Sequence, residues 1–120
     1  MSSEQKIKMI TREWPNLDAE GLDSEHEFKP IDPQEFERAL IWLAIKKKRR
    51  KSLNRTCSSY GLKHLASREL ADVQEDVPLF ADGNTYISNG AFICAAIYLG
   101  YKVEKAHKSP NAYINIGNIF

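Results

Sequence analysis

Nine consecutive residues, Ala91–Leu99, are almost all apolar, and their boundaries are marked on both sides. Ser88 offers an oxygen to cap a helix, Asn89-Gly90 opens it, and Gly100 stands where a left-handed residue would close it. Nine residues are far short of the roughly 20 that span a bilayer. A helix that is apolar on every side must then lie inside a protein core, so the chain has to supply layers around it. Ala91, Ala95 and Ala96 allow another backbone to approach closely. The chain is 120 residues long, which suffices for one such core and not for two.

A second helix is expected from Asp32. Asp32 suits the N-cap and Pro33 the first helical position, and Glu35 stands where a capping box places its acid. Phe36, Leu40 and Leu43 recur at helical spacing with Ala39 and Ala44 in the same stripe, and Ile41, Trp42 and Ile45 widen the apolar surface. Between these helices, Ser58 or Ser59 caps a third, from about Tyr60 to Leu70, with Leu62, Leu65, Ala66 and Glu69 on one edge and Gly61 weakening its first turn. Ser52 to Cys57 has loop chemistry. Asp72–Asn84 reads as a connection containing Pro78 and an Asp82-Gly83-Asn84 turn, with Val77, Leu79 and Phe80 packing beneath it.

After Gly100 the period changes from helical to alternating. Tyr101–Glu104 and Ala112–Ile116 read as two strands of a hairpin, and Thr85–Ile87 as a short additional strand. The expected class is α+β, three helices followed by a C-terminal β-hairpin, in the order of a winged helix-turn-helix. Residues 31–120 form the expected globular domain. Residues 1–30 form an acidic accessory arm: a short helix capped by Ser2 or Ser3 and carrying Ile7 and Ile10, then an irregular, solvated stretch from Leu17 to Phe28 with five acids and no lysine or arginine.

The net charge of +1 conceals a strong segregation of charge. Residues 1–30 hold four Lys/Arg against seven Asp/Glu, residues 31–70 hold ten against four, and residues 71–120 hold three against five. Most of the positive charge lies in Lys46, Lys47, Lys48, Arg49, Arg50 and Lys51, with Arg55 close behind. Six adjacent cations need water or an anionic surface, and phosphate is the commonest such surface. The run is expected in the last turns of the helix from Asp32, where cations also meet the negative end of the helix dipole. A plainer explanation is a solvated helix end, masked by the acidic arm.

Nucleic acid, duplex DNA above all, is therefore the expected partner. Lys63 and Arg68, on the helix from Tyr60 that also carries His64 and Ser67, are the expected groove-facing cations. Lys105 and Lys108, with His107 between them, occupy the hairpin tip. Arg55, Ser58, Ser59 and Tyr60 sit at a helix start, a place receptive to anions.

Cys57 and His64 are seven residues apart and invite a thiol–imidazole pair, but no third partner or oxyanion motif accompanies them, so no enzyme is expected. Cys57, His64, Cys94 and His107 lack metal-ligand spacing, and neither a metal nor another cofactor is expected. Two cysteines, no leader-like apolar segment and no membrane span point to a cytoplasmic protein with reduced thiols.

Cys57-Ser-Ser-Tyr-Gly-Leu-Lys-His-Leu65, Tyr86–Tyr101 and Ser109-Pro-Asn-Ala-Tyr-Ile-Asn-Ile116 resemble segments of small uncharacterised proteins carried by bacterial plasmids and prophages. The resemblance implies a regulator of transcription or an agent that disarms host defence, CRISPR and restriction complexes included. It carries over no active-site residue. An inhibitor of that kind binds a host protein complex, here through the acidic 18–27 stretch or through Trp14 and Tyr101 as aromatic anchors.

Overall fold

Among the described residues, four helices and two small antiparallel sheets make up the fold. The computed structural model describes residues 1–46 and 48–117. Helix α1 spans Ser3–Glu13, and the Ser2 hydroxyl and the Gln5 side chain close a capping box at its start. Strands β1 (Leu17–Asp18) and β2 (Gly21–Leu22) pair as a short ribbon. Helix α2 covers Pro33–Lys46, strand β3 Arg49–Asn54, helix α3 Ser59–Asp76 and helix α4 Asn89–Tyr98. Strands β4 (Val103–Lys105) and β5 (Ala112–Ile116) form the expected hairpin, with Val103 opposite Ile114 and Lys105 opposite Ala112.

The α+β class holds, but the order of three helices and then a hairpin does not. Helix α1 is an additional element of the core, and β3 intervenes between α2 and α3 to give a second sheet ordered β3-β5-β4. Helix α4 is the centre, as its composition demands. Residues 89–96 are all buried, and α1, α2, α3 and the β1–β2 ribbon pack around them. Its ends match the sequence: Ser88 Oγ accepts from the Ala91 N–H at 3.2 Å. At the far end the Gly100 N–H reaches Ile97 O and the Tyr101 N–H reaches Ala96 O, both at 3.0 Å, with Gly100 at φ +85°. That is the Schellman arrangement, and it needs the glycine. Gly90 has a different reason to be glycine, since a Cβ there would lie 1.6 Å from Asp18 O.

The stretch expected to be irregular and solvated instead places Leu17 and Leu22 fully inside the core, beside Ile7 and Ile10 of α1. Asp18 holds the ribbon's turn by accepting from the Glu20 N–H at 2.9 Å and the Lys29 N–H at 3.1 Å. Helix α3 runs six residues past its expected end. Its neighbours Val77 and Leu79 are exposed and only Phe80 packs on the core, so the connection is less covered than expected.

Thr85–Ile87 is not a strand. Side chains intercept its backbone: Asn84 Oδ1 takes the Tyr86 N–H at 2.9 Å, Arg38 Nη1 donates to Tyr86 O at 3.0 Å, and Glu35 Oε1 takes the Ser88 N–H at 2.9 Å. Glu35 is thereby diverted from the expected capping box. Asp32 still caps α2, accepting from the Gln34 N–H at 2.7 Å.

Candidate functional site

The basic run does not extend α2. Lys46 is its last helical residue, and Arg49–Asn54 is extended; Lys47 lies outside the described residues. On a helix the six cations would stack at i, i+3 and i, i+4, each pair costing a few tenths of a kcal/mol. An extended chain spreads them, and β5 offers hydrogen bonds. Cations are also common on strands with one unpaired edge, because they discourage pairing with another chain. Strand β3 is such an edge.

Its pairing is interrupted. Arg49 lies opposite Ile116 and Asn54 opposite Ile114, so residues 50–53 bulge from the sheet. The bulge is held by its own side chains and by β5. Arg50 Nε donates to Ser52 O at 3.1 Å and its Nη2 to Leu53 O at 2.7 Å, while Asn115 Nδ2 donates to Arg50 O at 2.9 Å. Asn54, buried, donates to Ile116 O at 3.1 Å and anchors the strand's end.

The cations separate into three groups. Lys46 and Arg49 serve the fold. Lys46 sits 3.4 Å from Glu69 and over the Trp42 ring, and Arg49 lies 4.7 Å from the Tyr101 ring centroid with its guanidinium donating to Leu99 O. Tyr101, expected as an exposed anchor, is buried beneath it; Trp14 is half-buried against the core.

A second group faces water on the sheet. Lys48, Arg50 and Lys51 are exposed, and Lys102, which sequence reasoning did not single out, reaches Lys51 O at 3.4 Å from β4's amino end. Arg55 lies over the Tyr113 ring at 5.2 Å, with Glu104 at 3.5 Å. Both partners of that pair are well exposed, so it contributes little and leaves the guanidinium free to meet a phosphate. The alternation after Gly100 already marked Lys102 as an outward residue; that was the available signal.

The third group stands elsewhere. Lys105 and Lys108 line a groove with Glu20, Asp23 and Glu25 of the acidic segment. The acidic stretch thus faces the hairpin loop, and no ion pair joins it to the basic run among the described residues. Arg68 is exposed on α3, but Lys63 is buried, with its ammonium between the Tyr60 and Tyr86 rings. Its stem belongs to the core face of α3, so it cannot reach into a groove of DNA.

Cys57 is half-buried and Cys94 fully buried; burial raises both thiols above their ordinary value, Cys94 to about 12. His64 is exposed with its ring edge-on to Tyr60. Gly61 lets Cys57 approach α3, since a Cβ there would lie 2.5 Å from the sulfur. Among the described residues no group of three or more His, Cys, Asp or Glu is placed to hold a metal ion, and no helix is long and apolar enough to cross a membrane. No protein-family model matches the chain, and neither a curated protein nor a solved structure shows significant similarity to it.

Proposed function

We propose that this protein binds nucleic acid, weakly selective for sequence, through the outer face of the β3-β5-β4 sheet. The observation that carries this reading is the exposed cluster of Arg50 and Lys51 on an edge strand with Lys48 just before it, continued by Lys102 beside the start of β4 and Arg55 just past β3. Lysine and arginine contacts to phosphate carry no sequence information, so weak selectivity goes with such a cluster. Arg68, Lys105 and Lys108 play at most an outlying part, and Lys63 none.

Fluorescence anisotropy with a labelled 20-base-pair duplex, at salt between about 50 and 200 mM, tests it. Replacing Lys48, Lys51 and Lys102 by Gln removes three phosphate partners without touching a core contact. The logarithmic salt slope is expected to fall by roughly 2 to 3, and retention at the higher salt to disappear. Equal binding by the triple variant overturns the reading.

A protein-binding inhibitor of a host defence complex is the second reading. Exposed apolar side chains on neighbouring helices favour it: Ile41 and Ile45 of α2, and Val73 of α3, beside a groove floored by Trp42 and Leu70. Recovery of one host partner from lysate, in the same amount with and without nuclease, supports this reading over the first.

A further inference from the structure

A cleft of about 560 Å³ opens on the side of the molecule that carries the β1–β2 turn, the start of α2, the first turn of α3 and the segment entering α4. Its floor is braced by Asn89. The Asn89 amide donates to Glu20 O and to Asn111 Oδ1, both at 3.0 Å, and its oxygen accepts from Ser59 Oγ at 2.7 Å. Ser59 Oγ in turn accepts from the Ala112 N–H at 2.9 Å. Four segments distant in sequence are locked together there, so the cavity is formed before any ligand arrives.

Lys63 lines this cleft with only 5% of its surface exposed. Its Nζ lies 5.2 Å from the Tyr60 centroid and 4.8 Å from that of Tyr86. No oxygen of the described residues accepts a hydrogen bond from it or pairs with it. Aromatic faces attract an ammonium but supply no lone pair, so its three N–H donors turn to the water of the cleft, which a ligand with acceptor oxygens can replace. Desolvation lowers the lysine from its ordinary value, and the fields of Glu35 and Glu20 act in the opposite direction.

The remaining charges of the cleft are carboxylates. Glu20 is paired with Lys29 at 2.9 Å. Glu35 and Asp32 each use one oxygen on a backbone N–H and keep acceptor capacity toward the cavity. An anion alone meets three carboxylates here. A cation alone offers Lys63 no acceptor and adds a like charge beside it. A molecule carrying both charges satisfies both sets of groups.

We propose that the cleft binds a small α-amino zwitterion, a free amino acid or a dipeptide. Its carboxylate sits on Lys63 Nζ, its ammonium on Glu35 and Asp32, and its side chain against the half-exposed rings of Tyr60 and Tyr86. This site is separate from the sheet face and does not depend on nucleic-acid binding.

Titration of the isotope-labelled protein, followed by ¹H–¹⁵N NMR, tests the proposal with each common L-amino acid and with glycylglycine. Acetate, methylamine and glucose serve as single-feature probes. At least one zwitterion is expected to shift the amides of residues 60–63 and 86–89 saturably, with acetate and methylamine each at least about tenfold weaker. Whether amino acids or only the dipeptide saturate the site identifies the source. Lys63→Met removes the charge at similar length and is expected to weaken binding at least about tenfold while keeping the dispersed spectrum. Should that variant fail to fold, Asp32→Asn decides, because asparagine caps α2 as well as aspartate and lacks the charge. Absence of saturable shifts with every zwitterion, equal binding by glucose or acetate, or undiminished affinity in the folded variants overturns the proposal.

Discussion

Cys94 and Cys57 show how position rather than residue type sets chemistry. Both thiols are raised by loss of water, but only Cys94 is fully enclosed, and its value of about 12 leaves about one thiolate in ten thousand at pH 8. Alkylation of the native protein by iodoacetamide, read by mass spectrometry, is expected to label Cys57 slowly and Cys94 only on unfolding. Rapid native labelling of Cys94 contradicts its enclosure. The same burial gives a pH dependence of known sign. The folded state holds the Cys94 proton up to about pH 12, whereas the unfolded chain releases it near its ordinary value of 9.0. Stability from this group is therefore complete below pH 9 and declines as pH rises through that window, by about 1.4 kcal/mol per unit. Cys94→Ala is expected to flatten the alkaline limb of a denaturation series, and an unchanged limb counts against the assignment.

Helices α2 and α3 are joined at a point where sequence patterning is silent. Trp42, nearly fully buried, donates its indole N–H to Glu69 Oε1 at 2.8 Å, and Lys46 approaches the same oxygen at 3.4 Å. Glu69→Ala leaves a buried indole N–H without an acceptor and is expected to cost about 1 to 2 kcal/mol in urea unfolding. Glu69→Gln keeps an oxygen for Trp42 and removes only a partly exposed ion pair, so its cost should stay near about 0.5 kcal/mol. Equal losses in the two variants indicate that the ion pair, and not the indole bond, ties the helices. Strand β3 is the complementary case. Its charge density was legible, but its conformation was decided by the free edge of β5 and by Asn54 and Asn115, whose side chains hold the bulged backbone.

The amino-terminal thirty residues differ in charge from the rest, yet they share its core. Ile7, Ile10, Leu17 and Leu22 are all buried against the central helix or its neighbours. Burying four such side chains is worth on the order of 6 to 12 kcal/mol before entropy, comparable with the entire stability of a small domain. Deleting residues 1–24 is therefore expected to abolish the cooperative melting transition seen by circular dichroism. A truncated chain that still melts sharply makes the segment an accessory after all. The arm's acids face the Lys105–Lys108 loop, which leaves the sheet surface around Lys48, Arg50 and Lys51 with an unbalanced positive charge.

Residue order alone specified α4, its caps, the α2 and α3 nuclei and the β4–β5 hairpin. Each depends on a local period or on a residue such as Ser88 or Gly100 whose backbone role is short-ranged. Long-range contacts made the segment from Arg49 a strand, buried Tyr101 and Lys63, and turned Glu35 to Ser88 rather than to its own helix. Those outcomes depend on partners far away along the chain, which alternation and capping rules do not sense. Charge was visible along the chain; which charges share a surface was settled by packing.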